Sequence, residues 1–567
     1  MDASNGQSAV FIDQDVVIVG AGPSGLALAI ELGSRGIKCL VIERNNRVGY
    51  APRAKTTNVR TRTHLRRWGI AERLAKASPF GVDYPSNVHF VTRLSGPSLA
   101  VIENASNCNP ARNKDYPEHG QWVPQYKLEQ VLREHAASLP NVTIRFNTKF
   151  ISAIQGGLRV EVTLDDRNSN TPVLVTSRDL VGADGAHSAV RDLIGAKMTG
   201  TYGLSRNYNI VFRAPGLAQA HAHGPGSMYW QVNRSAPSLI GPMDSEDVWY
   251  FMPTRLPDGF TITQESAASL IRESTGIDLP YEILSSDEWI VSSLIADRYR
   301  EGRIFLIGDA CHIHPPFGGY GMNMGIADGV DLGWKLSAVL QGWGGPQLLD
   351  SYIAERCVIH ENVIAESAAN HAVLSNDLWQ DNIDAPGPTG DAVRKAIGER
   401  IVALKKSEFH TLGTVLGGRY LHSPIILDDA EPAPPHNSQR YVPSNRPGCL
   451  APHVWRTDGL SLYDKLGIGF TLVCAPGAEA RDIELARSDA SVLGVPLAVI
   501  SLSPSEASDH YRSSFTLVRP DQYVAWRGPH WQKDLLRKAV GWDVPREPVE
   551  FPSDSSRVFA QSHGSKA

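Results

Sequence analysis

The stretch Asp15-Val-Val-Ile-Val-Gly20-Ala-Gly22-Pro-Ser-Gly25 constrains this chain more than any other. A buried-strand pattern ends in Gly20-x-Gly22-x-x-Gly25 and passes at once into a helical pattern, Pro23 to Gly36. A second apolar strand follows at Lys38 to Arg44. Two strands joined by one helix within about thirty residues must run parallel, because only a crossover connection fits. The glycines permit a tight turn and let backbone approach a pyrophosphate, whose charge the helix N-terminus favours. Glu43 ends the second strand eighteen positions after Gly25, where an acid accepts hydrogen bonds from a ribose. The unit predicts a dinucleotide site; the competing reading is a tight turn without ligand. No second fingerprint of this type occurs, so a second nucleotide is expected to bind only transiently.

The 567 residues leave room for about two or three domains. With 42% apolar and 20% charged residues and a net charge of −5, the chain reads as an ordinary globular protein. Nothing in that balance points to nucleic acid or an anionic membrane. The six cysteines are scattered, with no CxxC pair and no zinc spacing, which predicts free thiols in a reducing compartment. The N-terminus lacks the basic and apolar regions of a secretory signal, and the apolar run Val16 to Leu32 is broken by glycines and Pro23. A cytoplasmic protein is expected.

Further along, a basic helical segment covers Thr56 to Ile70 and a helix Tyr126 to Pro140. A strand meander ends by feeding Asp184 in Leu-Val-Gly-Ala-Asp184-Gly185, with Ser188 and Arg191 on the helix behind it. From about Tyr202 to Ile295 the pattern changes to alternating, aromatic-rich strands. Then Gly302 to Leu336 repeats the theme of an acid at a strand end. An apolar run, Ile304 to Ile307, ends in Gly308-Asp309, followed by Pro315-Pro316 and Gly318, Gly319 and Gly321 before a helix. Helical patterns fill Gln347 to Leu416, a proline-rich arm follows, and strands alternate with helices in a last unit of about one hundred residues.

Taken in order, the glycine fingerprint, the Asp184-Gly185 (DG) motif and the Gly308-Asp309 (GD) motif resemble the single-component FAD-dependent aromatic hydroxylases, such as 4-hydroxybenzoate and phenol hydroxylases. The C-terminal segments around Arg446 to Trp455, Ser461 to Leu472 and Leu517 to Gly528 resemble the thioredoxin-like appendage of the phenol hydroxylase branch. The resemblance implies an α/β fold. A Rossmann-like FAD-binding domain of the glutathione reductase type is expected at 1–200 and 296–422, with the helices that follow. A substrate β-sheet domain at 201–295, a linker at 423–445, a thioredoxin-like domain at 446–545 and a loose tail at 546–567 complete it. The missing CxxC excludes dithiol redox chemistry in that last domain, and Cys449 and Cys474 read as core.

Site residues carry over one at a time. The resemblance implies that Asp309 bonds the ribityl chain, that Gly319 and Gly321 keep side chains off the flavin ring, and that the amides of Met322 and Asn323 face its N1–C2=O edge. A helix dipole there offers up to ~2 kcal/mol to the reduced, anionic flavin. Arg44 is expected at the adenosine end, Arg53 at the FAD diphosphate or the nicotinamide nucleotide, Gln125 on the flavin side chain and Pro316 with its carbonyl toward the substrate. The other arginines between Arg44 and Arg73 read as a solvated helix face. His314 and Tyr250 are candidates for catalysis, Tyr229 and Tyr250 for the pocket lining, with core packing the competing reading for both tyrosines. No metal is expected, because His312 and His314 have no third ligand at suitable spacing. Three departures stand out: Tyr320 in Gly318-Gly319-Tyr320-Gly321 where the family loop often reads GGQG, Asp331 where an asparagine is common, and Lys55 where phenol hydroxylase has an aspartate that helps activate the phenol, which leaves the catalytic base unassigned.

The expected function is hydroxylation of a phenolic or other electron-rich aromatic compound with NAD(P)H and O2 through a flavin C4a-hydroperoxide. The alternative within the class is a flavin oxygenase of a polyketide or antibiotic scaffold; from another class comes a non-catalytic binding protein on the same fold. A homodimer is a family expectation.

Overall fold

The computed structural model describes residues 10–46, 54–168, 171–256, 259–373, 375–427, 429, 431, 432, 435–507 and 510–542. The helices that position the site are α1 (Pro23–Ser34), α2 (Val59–Arg67), α3 (Gln125–Ser138), α4 (Gln264–Thr275), α5 (Gly321–Leu340), α6 (Asp350–His371) and α7 (Gly387–Phe409).

The first sheet orders its strands Arg300–Glu301, Ile304–Leu306, Thr171–Gly182, Val10–Val19, Cys39–Ile42 and Val142–Arg145. All neighbours but the outermost short pair run parallel. Val16–Val19 and Cys39–Ile42 are buried throughout, the unbroken apolar pattern of strands covered on both faces. Strands Thr148–Gly156 and Arg159–Asp166 form the expected meander with Thr171–Gly182. The fingerprint, DG and GD motifs all leave the carboxyl ends of adjacent parallel strands, where ligands bind in open sheets of this kind.

Two of the helices that start at these loops are pressed together. Gly325, Gly329 and Gly333 line one face of α5 against α1. A Cβ on them would stand 2.2 Å from Ser24 Oγ, 2.8 Å from the Ser24 carbonyl and 2.6 Å from Glu31 Cβ, respectively. Only glycine admits so close an approach, and it brings both helix N-termini to one crevice.

The second sheet is wider than the expected 201–295. It runs His312–Ile313, Glu282–Ala296, Met198–Arg213, Val248–Pro253, Ser238–Pro242, Met228–Gln231, Val88–Val91 and Ser98–Ile102. The strand Met228–Gln231 would be an edge, and Val88–Val91, from the first segment of the chain, pairs parallel to it. One face, with Tyr208, Phe212, Tyr229 and Phe251, packs on Ala267 and Ile271 of α4. Part of the opposite face, with Phe90, Trp230 and Leu239, meets Phe317 of the GD loop and Ile397 and Ile401 of α7.

The C-terminal unit orders Leu497–Ser501, Phe470–Cys474, Phe515–Val518 and Val524–Gly528, the first pair parallel across helix Ala480–Leu493 and the others antiparallel. Trp334 and Ala338 of α5 sit in its core with Phe470 and Trp526, so the two units share apolar packing. The proline-rich arm is tied down as well: Ser423 donates to Glu355 (2.5 Å), Ile425 is buried and Leu427 N donates to the Ala525 carbonyl (2.9 Å). The expected loose tail lies outside the described residues. No described helix is long and apolar enough to cross a membrane.

Candidate active site

At the fingerprint, Gly20 takes φ +111° with its missing Cβ aimed at the Ala183 carbonyl, 2.3 Å away. Beside Gly22, by contrast, a Cβ would meet nothing within 4 Å. Gly22 caps α1 without any side-chain bond, Pro23 opens the helix, and its first turn holds no acid. The orphan amides of that turn therefore face open space with a positive dipole end, which suits a pyrophosphate. Glu43 is fixed at the rim by Ala21 N (3.2 Å) and Asn45 N (3.0 Å). Arg44 is exposed beside it, and Arg53 lies outside the described residues.

The DG and GD turns are stitched together. Asp184 accepts from Ser188 Oγ (2.5 Å) and from the amides of Ala189 (2.7 Å) and Val190 (3.3 Å), so it caps the short helix Ala189–Leu193. Burial pushes its carboxyl up against the pull of these bonds. Arg191 does not seek an acid; it donates to the carbonyls of Ala186 (3.0 Å) and Ala310 (3.3 Å), which joins one turn to the other. Asp309 stands exposed between buried Gly308 and Ala310 at the strand end.

The loop that follows depends on glycine: Gly318 and Gly319 sit at φ +98° and +67°. Tyr320 caps α5 without a side-chain bond, and the first turn carries no acid, so a second uncapped helix end opens here. Met322 is half-buried. Asn323 holds the corner, donating to the carbonyls of Thr56 (3.0 Å) and Gly319 (2.8 Å) and accepting from Asn58 N (3.0 Å). Gln125 begins α3; its amide side chain donates to Glu129 (2.6 Å) and its backbone N–H to the Ala54 carbonyl (2.9 Å). Open glycine cradle, two uncapped helix ends and an exposed acid between them together fit FAD.

Below the loop lies an anchor that the sequence reading missed. Asp328 accepts from His312 Nε2 (2.8 Å), His360 Nε2 (2.9 Å), Arg356 Nε (2.8 Å) and Gly308 N (3.0 Å). Burial opposes its charge, yet His360, Arg356 and His312 outweigh that and hold the carboxyl well below its usual range. Burial lowers His360 to about 3, so it donates as neutral imidazole, while its Nδ1 accepts from Tyr299 (2.8 Å). Cys311, His312 and Asp328 are near enough to share an ion, but Arg356 already balances the carboxylate. Acids and a lysine inside an otherwise apolar helix, Asp328, Asp331 and Lys335, were the signal available.

On the substrate side, Tyr250 donates to the Ser227 carbonyl (3.2 Å) and clusters with Val211, Met243, Trp122 and Tyr126. Lys55 Nζ stands 3.6 Å from the centroid of its ring. His314 lies beside Gly321, its Nδ1 3.1 Å from the Pro315 carbonyl, and burial lowers it to about 4, so it is neutral at pH 7. Two expectations change. Tyr229 pairs with Ile240 whereas Tyr250 pairs with Gly241, and the period of two puts them on opposite faces. Tyr229 donates to the Gly224 carbonyl (2.6 Å) and stacks on His89, away from the site. Pro316 is exposed, and its carbonyl closes the turn by accepting from Gly319 N (3.1 Å) with a second lone pair left over. The basic helix α2 is no solvated face: Arg60 and Arg62 are buried, donating to Gln522 and the Asp521 carbonyl and to Gln121 and Glu118. Arg66 bridges Glu118 (2.9 Å) and Asp464 (2.6 Å).

Residues 13–367 match the FAD binding domain family, and residues 444–542 the aromatic-ring hydroxylase C-terminal family. The chain is 32% identical to 2,4-dichlorophenol 6-monooxygenase of Delftia acidovorans, over 94% of this chain and 98% of that protein. It is 30% identical to aklavinone 12-hydroxylase RdmE of Streptomyces purpurascens, over 93% and 97%. Among solved structures, the rebeccamycin biosynthetic enzyme RebC with reduced flavin superposes with a TM-score of 0.86 at 30% identity, covering 94% of this chain and 100% of RebC. A family match across more than half the chain, on a cradle shaped for its cofactor, makes this protein a member of the FAD-dependent aromatic and polyketide monooxygenases.

Proposed function

We propose that the protein hydroxylates a phenolic ring of a polycyclic, polyketide-type natural product, consuming NAD(P)H and O2. The observation that carries this reading is the aromatic cluster of Trp122, Tyr126 and Tyr250 on the sheet side, in which half-buried Trp122 and Tyr126 keep ring surface that suits stacking on fused rings. The likeness to RdmE and RebC supports it. A simple phenol is the second reading, favoured by the likeness to 2,4-dichlorophenol 6-monooxygenase.

FAD would be held by the Gly20–Gly25 backbone and the α1 terminus at its pyrophosphate, by Glu43 and Arg44 at its adenosine end, and by Asp309 and Gln125 along the flavin side chain. The α5 amides of Met322 and Asn323, with Gly319 and Gly321, would border the ring. When bound, FAD supplies electron transfer from the nicotinamide and activation of oxygen. The α5 dipole stabilises negative charge at its N-terminus by up to ~2 kcal/mol. Tyr250 and its neighbours keep water off the reacting atoms. His314, neutral, offers an unpartnered Nε2 as a hydrogen-bond acceptor beside the α5 terminus. The C-terminal unit reads as a thioredoxin-like scaffold without a dithiol.

The test mixes holoenzyme anaerobically with NADH or NADPH, with and without a panel of anthracyclinones, other polycyclic phenols and 2,4-dichlorophenol. Flavin bleaching accelerated by a polycyclic phenol, with a product one oxygen atom heavier after aeration, is expected. Acceleration by 2,4-dichlorophenol alone would favour the second reading; equal bleaching with every compound would refute both.

A further inference from the structure

Lys55 stands where the parts of the site meet. Its carbonyl accepts from Val123 N (2.8 Å), that of Ala54 from Gln125 N (2.9 Å) and that of Thr56 from the Asn323 side chain (3.0 Å). The backbone is thus clamped between α3 and the N-terminus of α5. From that clamp the side chain crosses to the substrate sheet and ends 3.6 Å from the Tyr250 ring centroid. An aromatic face attracts a cation but cannot accept its proton. The titratable groups of that cluster are phenols, Tyr250 and Tyr126, with Tyr84 and Tyr229 acting on Tyr250. Among the described residues no charged partner acts on the Lys55 amine, and burial alone lowers it to about 7. A substantial share is therefore free amine at neutral pH.

We propose that Lys55 is the base that ionises the phenolic hydroxyl of the substrate. The Nζ lone pair takes the proton as the O–H bond breaks, and no electrons are transferred. The ammonium so formed remains beside the phenolate oxygen, so the same group makes the anion and pairs with it. After product leaves, the proton passes to solvent. An acid in this place would end neutral and lend the phenolate no charge. The proposal rests on the phenolic reading above.

The test uses holoenzyme and alizarin, a polycyclic phenol whose colour reports its ionisation. In the wild type, bound alizarin is expected to ionise about one pH unit or more below the free dye, because a cation favours the anion. In K55M the shift disappears; K55R, which keeps a cation that does not deprotonate, restores it. In parallel, competitive acetylation with peptide mass spectrometry reads the Lys55 amine directly, with surface Lys76 as the reference. A midpoint near neutrality, well below that of Lys76, is expected. Equal ionisation of the dye in wild type and K55M, or a Lys55 midpoint equal to that of Lys76, would overturn the role of Lys55 alone. If neither alizarin nor 2,4-dichlorophenol binds either protein, the phenolic reading falls and Lys55 falls with it.

Discussion

Asp328 and Asp331 sit three residues apart on α5, both fully buried, in opposite electrostatic situations. Asp328 is a single carboxylate facing one arginine, two histidines and a backbone amide, and its charge is more than satisfied. Asp331 belongs to a network that crosses into the C-terminal unit. Lys335 bonds Asp331 (2.8 Å) and Glu355 (2.6 Å), and Arg519 bonds Glu355 (2.6 Å), Asp331 (3.2 Å) and Asp521 (2.5 Å). Three carboxylates share two cations there, and burial with the neighbouring acids pushes the Asp331 carboxyl up to about 7. One cluster roots the GD loop; the other joins two units and holds a titratable proton. Equal burial therefore says little about a charge until its partners are counted.

The largest effect is expected from R519M, which leaves three buried acids to Lys335 alone. Unfolding in guanidinium should show a loss of about 4–5 kcal/mol, the upper part of the range for a broken buried pair. D328N strands the Arg356 cation and frees the Gly308 amide; a loss of about 3 kcal/mol is expected. Because the same acid roots the GD loop, D328N should also release FAD at lower urea than R519M does, followed by flavin fluorescence. Equal flavin retention in the two variants would erase the distinction between loop anchor and domain joint.

Acidity separates the two acids further. The folded chain keeps a proton on Asp331 up to about pH 7, whereas an unfolded aspartate releases it near 3.8. Its contribution therefore falls as pH rises between those values. Asp328, held below its usual range, contributes above 3.8 and loses that contribution as the pH drops through its folded value. D331N should flatten the stability profile between about pH 4 and 7 and leave the acid limb in place. As the smallest effect, E72A breaks the exposed Lys76–Glu72 pair (3.6 Å) and should change stability by less than about 0.5 kcal/mol.

How much was legible follows from the range of the interactions. The strand-end positions of Gly20, Gly22 and Gly25, Glu43, Asp184 and Asp309 could be read because each is set by its own strand. The basic helix could not: Arg60 and Arg66 meet partners more than 390 residues away, at Gln522 and Asp464, and charge composition alone predicts water on such a face. Tyr229 and Tyr250 were placed together because alternation shows that a strand has two faces without saying which one the neighbouring domain covers. Pairing with Ile240 and Gly241 decides that.

The sequence by itself determined the parallel strand–turn–helix core, the cofactor end of the site and the chemical class, since short-range backbone geometry and hydrophobic period suffice for those. Only the tertiary structure decided that Asp328 gathers His312, Arg356 and His360, that Arg519 reaches into the first unit, and that Lys55 lies over Tyr250. These are meetings of residues far apart in the chain, brought about by burying apolar surface on α1, α5 and the two sheets, and local pattern carries no record of which distant partner that burial will supply.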